Sequence, residues 1–497
     1  MTSTSDRSLI LREIRTGIVN AVIPEISSAQ TLDLAAHIDR LLTMLILDEE
    51  QGEAMGARYA AELREALALL QPGLSLGSQS FDALRDTAQR AIAETMSDKD
   101  LPDERRDAIT RIMAIETRYQ NEIAELRENI RASLPASGQP AEGEADLSVC
   151  TFSATALTNY LRDTVPGAGK AEVGQLIQIP GGRSKETVIV DMVEADSLPS
   201  SFIVRKDRAF SVTDATVVHE FELLKAVSNA GNIPVPEPLW IERDASRLGS
   251  PFMLVTRLRG TKQGEYHLDM WRPAHDRRAI AMQIAATLAH IHAVPLDALS
   301  ATHLDLKPDL SARIAGHIDR IDKQFAGSDG LPSISAAVAG QWLRSHVEWG
   351  LLARPALVHG DFGLHNLLIE DGRLTGVVDW ELASIGSPAI DVAMCRRMAP
   401  YMDFEWQDFV DTYVDAGGAA ETCDPRSIAF YQVYGLVSGT VRSRYGGHLF
   451  RSGVKRDLVT ANSGFDFHYR SSRLLANALT EAMALDRAPV SAQDAVA

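Results

Sequence analysis

Cysteine is scarce: the 497 residues hold three, Cys150, Cys395 and Cys423. Their spacing matches no metal site, and an odd number leaves no closed disulfide set, so the sequence predicts a reducing, cytoplasmic setting. Long apolar runs are missing as well. No window reaches the roughly 18 residues that a membrane span needs, and the run from Leu41 to Leu47 stops at charges. The first residues, MTSTSDRSLILREIR, show no basic stretch leading into an apolar one, so no signal peptide is expected. A basic excess is absent too: 49 Lys and Arg face 67 Asp and Glu, a net charge of -18. That balance argues against a nucleic-acid partner. What is present is ordinary for globular chains, 45% hydrophobic and 23% charged, which excludes a fibre or a wholly disordered polymer. The length suits about two to four domains.

The acid is uneven. Residues 1–150 hold 26 acidic and 15 basic residues, so most of the net charge sits in the first third of the chain. The segment from Pro135 to Asp146 has two prolines, two glycines and no large apolar residue, the composition of a linker. The predicted organisation is an all-helical domain over 1–134, a linker over 135–147, a small β-rich lobe over 148–258 and a helical lobe over 259–497. In the first part, apolar residues recur at helical spacing from Leu9 to Val22, from Leu32 to Leu45, from Ala60 to Leu70, from Phe81 to Met96 and from Asp103 to Leu134. No cluster there has catalytic character, and its expected role is packing or self-association into a homo-oligomer.

Beyond the linker the rhythm changes to short β-rich runs, Val173–Ile179, Thr187–Met192, Phe202–Val204 and Phe252–Val255, with a helix from Val217 to Val227 between the last two. Helices return after about residue 273, most clearly Arg278–His292 and Ala312–Gln324.

The strongest chemical signal lies between 357 and 391. His359-Gly360-Asp361 opens a loop, Asn366 follows five residues after Asp361, and Asp379 ends the next apolar run. The turn Glu370-Asp371-Gly372 folds these runs into a hairpin, so Asp361, Asn366 and Asp379 can converge. They offer a proton acceptor and hard oxygen ligands, which suit Mg²⁺.

These residues resemble the catalytic loop and metal aspartate of the aminoglycoside phosphotransferase-like kinases, H-G-D-x-x-x-x-N followed by D-W-E, and the resemblance covers about residues 150–480. It implies an α+β, two-lobe protein-kinase-like fold, here preceded by the helical region. It also implies ATP as co-substrate, with GTP left open, Mg²⁺, and a small molecule bearing a hydroxyl as acceptor. Asp361 would take or orient the hydroxyl proton, and Asn366 and Asp379 would hold the metal. His359 and Asp391 would support the loop, and His292 would be a buried structural histidine.

For the nucleotide, the resemblance points to the turn Gly181-Gly182-Arg183-Ser184 and to the hinge around Thr256 and Leu258. Kinases place a lysine on the third strand, whereas apolar alternation here puts Arg205 at that position and turns Lys206 to the opposite face. Arginine here resembles the branch that includes the kinase-like domains fused to acyl-CoA dehydrogenases. Glu220 resembles the helix glutamate that pairs with this cation.

Two charge blocks bear on the acceptor. Residues 403–424 carry seven acids and no Lys or Arg, and residues 442–473 carry seven cations against Asp457 and Asp466. An acidic lining would favour an aminoglycoside-type antibiotic; a basic lining interleaved with Tyr434, Tyr445, Phe450, Phe465, Phe467 and Tyr469 would favour a hydroxylated acyl, acyl-CoA or aromatic metabolite. A different class of reading is a catalytically silent nucleotide-binding regulatory module.

Overall fold

The computed structural model describes residues 4–23, 29–96, 101–132, 150–179, 185–208, 216–262, 276–399 and 404–487. Packing divides the chain into two compact units: Met1–Glu144 with Ser311–Gly350 and Ala429–Ala497, and Ala145–Leu310 with Leu351–Ile428. This division by packing differs from a division by chain order, because the first unit draws helices from both ends of the sequence.

In the first unit, four helices lead: α1 (Thr4–Gly17), α2 (Ala29–Leu70), α3 (Phe81–Thr95) and α4 (Asp103–Ala132). The spacing predicts separate helices over 32–45 and 60–70, but α2 runs unbroken for 42 residues. Asp48-Glu49-Glu50 and the glycines at 52 and 56 read as an interruption. None of them is proline, and Ile46, Leu47, Met55 and Tyr59 are buried, so the apolar stripe continues through the charged stretch. Two helix-interior glycines cost about 1 kcal/mol each, which that burial offsets. Leu63, Leu67, Leu84, Ala88, Ile92 and Ile112 complete the local core.

Inside this core lies a buried ion pair. Arg85 reaches both carboxylate oxygens of Glu116 at 3.0 and 2.6 Å, and also the Pro332 carbonyl at 3.3 Å. Gln120 donates to Glu116 at 2.9 Å. On the outer side of α4, Thr117 meets Thr480 at 3.0 Å, and Asn121 and Asn477 exchange amide bonds at 3.0 and 3.1 Å, which fasten α4 to the helix His468–Arg487.

Asp48 of α2 lines a small cavity with Tyr119, Arg127 and Tyr469. Burial first, and then the charge of Asp82, push its carboxyl up to about 6, with Arg127 opposing. A folded-state value above the unfolded one means that the stability tied to this proton is present at low pH and is lost as pH rises through about 6. Asp48 keeps contact with solvent, which screens the cost of its charge, so Asp48→Asn should stabilise the protein at pH 8 by no more than about 1 kcal/mol and change little at pH 4. Denaturant melts of both proteins at the two pH values check this; an equal difference at both would show that Asp48 is not the titrating group.

The second unit begins with α5 (Ala154–Thr164) and a five-stranded antiparallel sheet of order β1-β2-β3-β5-β4. Its strands are β1 (Glu172–Ile179), β2 (Lys185–Glu194), β3 (Ser201–Asp207), β4 (Pro238–Glu242) and β5 (Phe252–Thr256), with α6 (Val217–Ala230) between β3 and β4. The sheet face carrying Val188, Val190, Phe202, Val204, Phe252 and Leu254 packs on Leu157 and Leu161 of α5. After β6 (Thr261–Lys262) come α7 (Arg277–His292) and β7 (Ala356–Val358), which pairs with β10 (Ser384–Gly386). Between them lies the hairpin of β8 (Leu367–Glu370) and β9 (Arg373–Val377), with β6 on its outer edge. The hairpin closes on Asp371-Gly372, both at positive φ, as the turn chemistry of an Asp-Gly pair allows. Among the described residues, no helix is long and apolar enough to cross a membrane.

Candidate active site

The loop between β7 and β8 carries His359, Gly360, Asp361 and Asn366. It is held from below by Asp391, in the first turn of the helix Ala389–Met398. The two Asp391 oxygens accept the backbone N–H groups of His359 at 2.7 Å and Gly360 at 2.9 Å. Gly360 has φ +79°, and a Cβ there would lie 2.5 Å from the Leu382 carbonyl oxygen, so the loop passes where only glycine fits. His359 is fully buried. Its Nε2 donates to the Val378 carbonyl at 3.1 Å, and its Nδ1 accepts the Asp361 N–H at 3.3 Å. Burial pushes this imidazole below its ordinary range, so it stays neutral and ties the loop to the backbone of Val378, just after β9. Behind Asp391, His292 bridges to the Tyr413 hydroxyl at 2.8 Å and lies 3.4 Å from the carboxylate.

These supports fix three side chains. The Asn366 amide nitrogen donates to the Asp361 carbonyl at 3.0 Å and to Asp361 Oδ2 at 3.1 Å, which leaves the amide oxygen as the atom available to a cation. His365 Nε2 lies 3.0 Å from the same Oδ2. Burial raises the Asp361 carboxyl, but the His365 hydrogen bond and charge, His359 and the Asn366 amide outweigh it, so the group falls below the usual carboxylate range and is ionised at neutral pH. Asp379 follows β9 in the left-handed region, φ 70° and ψ 62°. That conformation is costly for any residue but glycine, and Asp and Asn tolerate it best.

The sheet brings the cation. On β3, Phe202, Val204 and Lys206 are buried on one face, and Arg205 lies on the other. Lys206 bonds Thr151 Oγ1 at 2.6 Å and sits over the Phe152 ring. Arg205 Nη2 lies 3.1 Å from Asp379 Oδ1 and 3.2 Å from Glu220 Oε2. Glu220 falls in the first turn of α6, whose start is set by the Thr216 cap on His219 and by Asp207 accepting the Val217 N–H at 3.1 Å. Burial works against both charges, and Glu220 and Asp379 keep the guanidinium protonated.

Five of the sequence-derived residues thus converge: Asp361, Asn366, Asp379, Arg205 and Glu220. Leu258 packs toward Leu368 and Gly376 on the hairpin. The Thr256 hydroxyl is committed elsewhere, accepting the Glu237 N–H at 2.8 Å. Gly181, Gly182, Arg183 and Ser184 lie outside the described residues. His365 is not among the sequence-derived residues, and its place four residues after Asp361 is the signal that points to it.

The residues fit a magnesium nucleotide. One buried polar atom beside Asp379, Arg205 Nε, has no hydrogen-bond partner, and a buried donor of this kind demands one. Among the described residues, no cluster of three or more His, Cys, Asp and Glu forms a complete metal cage. One carboxylate and one amide oxygen instead leave room for substrate phosphates, as Mg²⁺ prefers.

The chain belongs to the phosphotransferase enzyme family (APH), whose model matches residues 175–431. It is 30% identical over 244 residues to acyl-CoA dehydrogenase family member 10 of Mus musculus, across 48% of this chain and 21% of that protein. It is 37% identical over 154 residues to viomycin phosphotransferase of Streptomyces vinaceus, across 30% of this chain and 43% of that one. The matches therefore span less than half the length of either relative. Among solved structures, a candidate aminoglycoside phosphotransferase of Ralstonia eutropha aligns with a TM-score of 0.52 at 18% identity, covering 66% of this chain and 99% of that one. The fold is the kinase-like fold of these phosphotransferases, a β-sheet lobe and a helical lobe, with a helical region before it.

Proposed function

We propose that the chain transfers the γ-phosphoryl group of ATP to a hydroxyl of a small molecule. The observation that carries this reading is the convergence of Asp361, Asn366 and Asp379 on one hairpin with Arg205 meeting Asp379 from the sheet. Asp361, ionised and oriented by His365 and Asn366, accepts the hydroxyl proton as the acceptor oxygen bonds to the γ-phosphorus and the bond to the β,γ-bridging oxygen breaks, releasing ADP. Asn366 and Asp379 would hold Mg²⁺, which when bound neutralises phosphate charge. Arg205, braced by Glu220, offers a charged fork to phosphate oxygens.

For the acceptor, the acyl-CoA dehydrogenase name of the mouse relative supports a hydroxylated acyl or acyl-CoA compound. The name of the Streptomyces relative supports an antibiotic as the second reading. The basic block bears less on this choice than its composition suggests. Arg444 is buried against the Phe325 ring and the Leu331 carbonyl, Arg451 stacks on Phe465, and Arg470 pairs with Asp466 at 2.9 Å. Likewise Asp408 of the acidic block pairs with Arg278 at 2.9 Å.

Mutants on β3 test the phosphate contact. Arg205→Ala should weaken Mg–ATP binding by about one to two decades, the worth of a charge-assisted bond, with Arg205→Lys intermediate. Lys206→Ala should lower the melting temperature and leave nucleotide affinity near normal. Glu220→Gln should cost less in the Arg205→Ala background than alone, because the shared interaction is already gone. Calorimetric titration reads the affinities of these four single variants and the double one, and a thermal melt reads the stability of Lys206→Ala; an affinity loss in Lys206→Ala equal to that of Arg205→Ala, or strict additivity, would show that the cation or its partner is wrongly assigned.

A further inference from the structure

The site as described is short of positive charge. Asp379, Glu220 and Glu381 act on one another's surroundings, Arg205 is the cation paired with two of them, and Lys185, which also acts on Glu220, is paired with Asp207 at 3.0 Å. A nucleoside triphosphate adds about four more negative charges, which a phosphoryl-transfer site must meet with cations.

Lys262 stands at the right place. It ends the two-residue strand β6, where Thr261 pairs with Ile369 and Lys262 with Leu368. Cross-strand partners share a face, so Lys262 lies beside Leu368, two residues beyond Asn366, on the strand whose other neighbour is β9. The register is fixed by Gly260: its φ is +97°, and a Cβ there would lie 2.9 Å from the Ile369 carbonyl oxygen, so a larger residue would push β6 off the hairpin. The Thr375 hydroxyl, 2.6 Å from the Arg259 carbonyl oxygen, clamps the same approach from β9. The ammonium is within electrostatic reach of Asp379, Arg205 and Asp361. Among the described residues it makes no ion pair, and its side chain is exposed to solvent.

We propose that Lys262 is a further catalytic residue, whose ammonium binds the γ-phosphoryl group of the nucleotide as it transfers. The inference rests on the phosphotransferase reading above. It goes beyond it by assigning a second phosphate cation on the hinge-side strand, opposite the Arg205 that reaches in from the sheet.

The test is calorimetric titration with Mg–AMP-PNP and with Mg–ADP, for wild type, Lys262→Met and Lys262→Arg. If the ammonium holds the third phosphate, Lys262→Met weakens Mg–AMP-PNP by about 10- to 100-fold and Mg–ADP by less than about threefold, and Lys262→Arg restores most of the loss. Equal weakening of both nucleotides, or no weakening of either, overturns the assignment while normal wild-type binding leaves the phosphotransferase reading standing. Wild type that binds neither nucleotide with magnesium would remove that reading and this inference together. The thermal midpoint of Lys262→Met should match wild type, since the exposed side chain carries no packing.

Discussion

Asp361→Asn should slow phosphoryl transfer by about two to four decades, the range for loss of a positioned general base, while Mg–ATP affinity stays within a few-fold. The substitution keeps the shape of the side chain and its reach to His365 and Asn366, but an amide cannot take the acceptor proton. Because Asp391 braces the loop through the backbone of His359 and Gly360 rather than through Asp361 itself, the loop should hold its form in the variant. ADP release with a productive acceptor gives the rate, and titration gives the affinity. Turnover within a few-fold of wild type would remove Asp361 from the chemistry. A parallel loss of affinity would place it in nucleotide binding.

Asp379→Ala should weaken magnesium-dependent nucleotide binding by at least about 100-fold, against about 10-fold for Asn366→Ala. A carboxylate brings a full charge to the cation and an amide only a dipole. Asp379 has a second duty as the partner of Arg205 at 3.1 Å, so its removal also releases the guanidinium from one of its two carboxylates. Its left-handed backbone is a separate source of loss, since alanine tolerates φ 70° poorly. Asp379→Asn separates the two: asparagine keeps the backbone tolerance and loses the charge. If charge is the cause, Asp379→Asn binds nearly as badly as Asp379→Ala and melts like wild type. Affinities for both variants equal to wild type would withdraw the metal assignment.

How far the sequence showed these features depends on the range of the interaction. The site was legible because its signals are local. Asp371-Gly372 announces the hairpin that returns Asp379 to Asp361 and Asn366, and period-two alternation decides between Arg205 and Lys206. The unbroken α2 was hidden by Asp48-Glu49-Glu50 and two glycines, which resemble a break until Ile46, Leu47, Met55 and Tyr59 are seen to be buried. The packing of α4 on the helix His468–Arg487 rests on contacts such as Thr117 with Thr480, more than 350 residues apart, and polar pairs of that kind leave no pattern in either segment. The basic block misled in part for the same reason: Arg444 reads as available charge, and only tertiary structure shows it bonded to the Leu331 carbonyl, whereas Arg470 with Asp466, four residues apart, was a pair within reach of the sequence. Lys262 carries no motif at all, and its place follows from strand pairing with Leu368.

The central claim is that this site turns over ATP onto a hydroxyl. The most direct measurement is ADP release from Mg–ATP, with label followed from the γ-phosphate, across hydroxyacyl-CoAs, viomycin-type and aminoglycoside antibiotics, and phenolic alcohols, for wild type beside Asp361→Asn. The account predicts that one acceptor class raises ADP release, gains one labelled phosphate per ADP, and loses both in Asp361→Asn. Tight magnesium-dependent binding of ATP, with no class raising wild-type ADP release above that of Asp361→Asn, would contradict it and identify a nucleotide-binding module without catalysis.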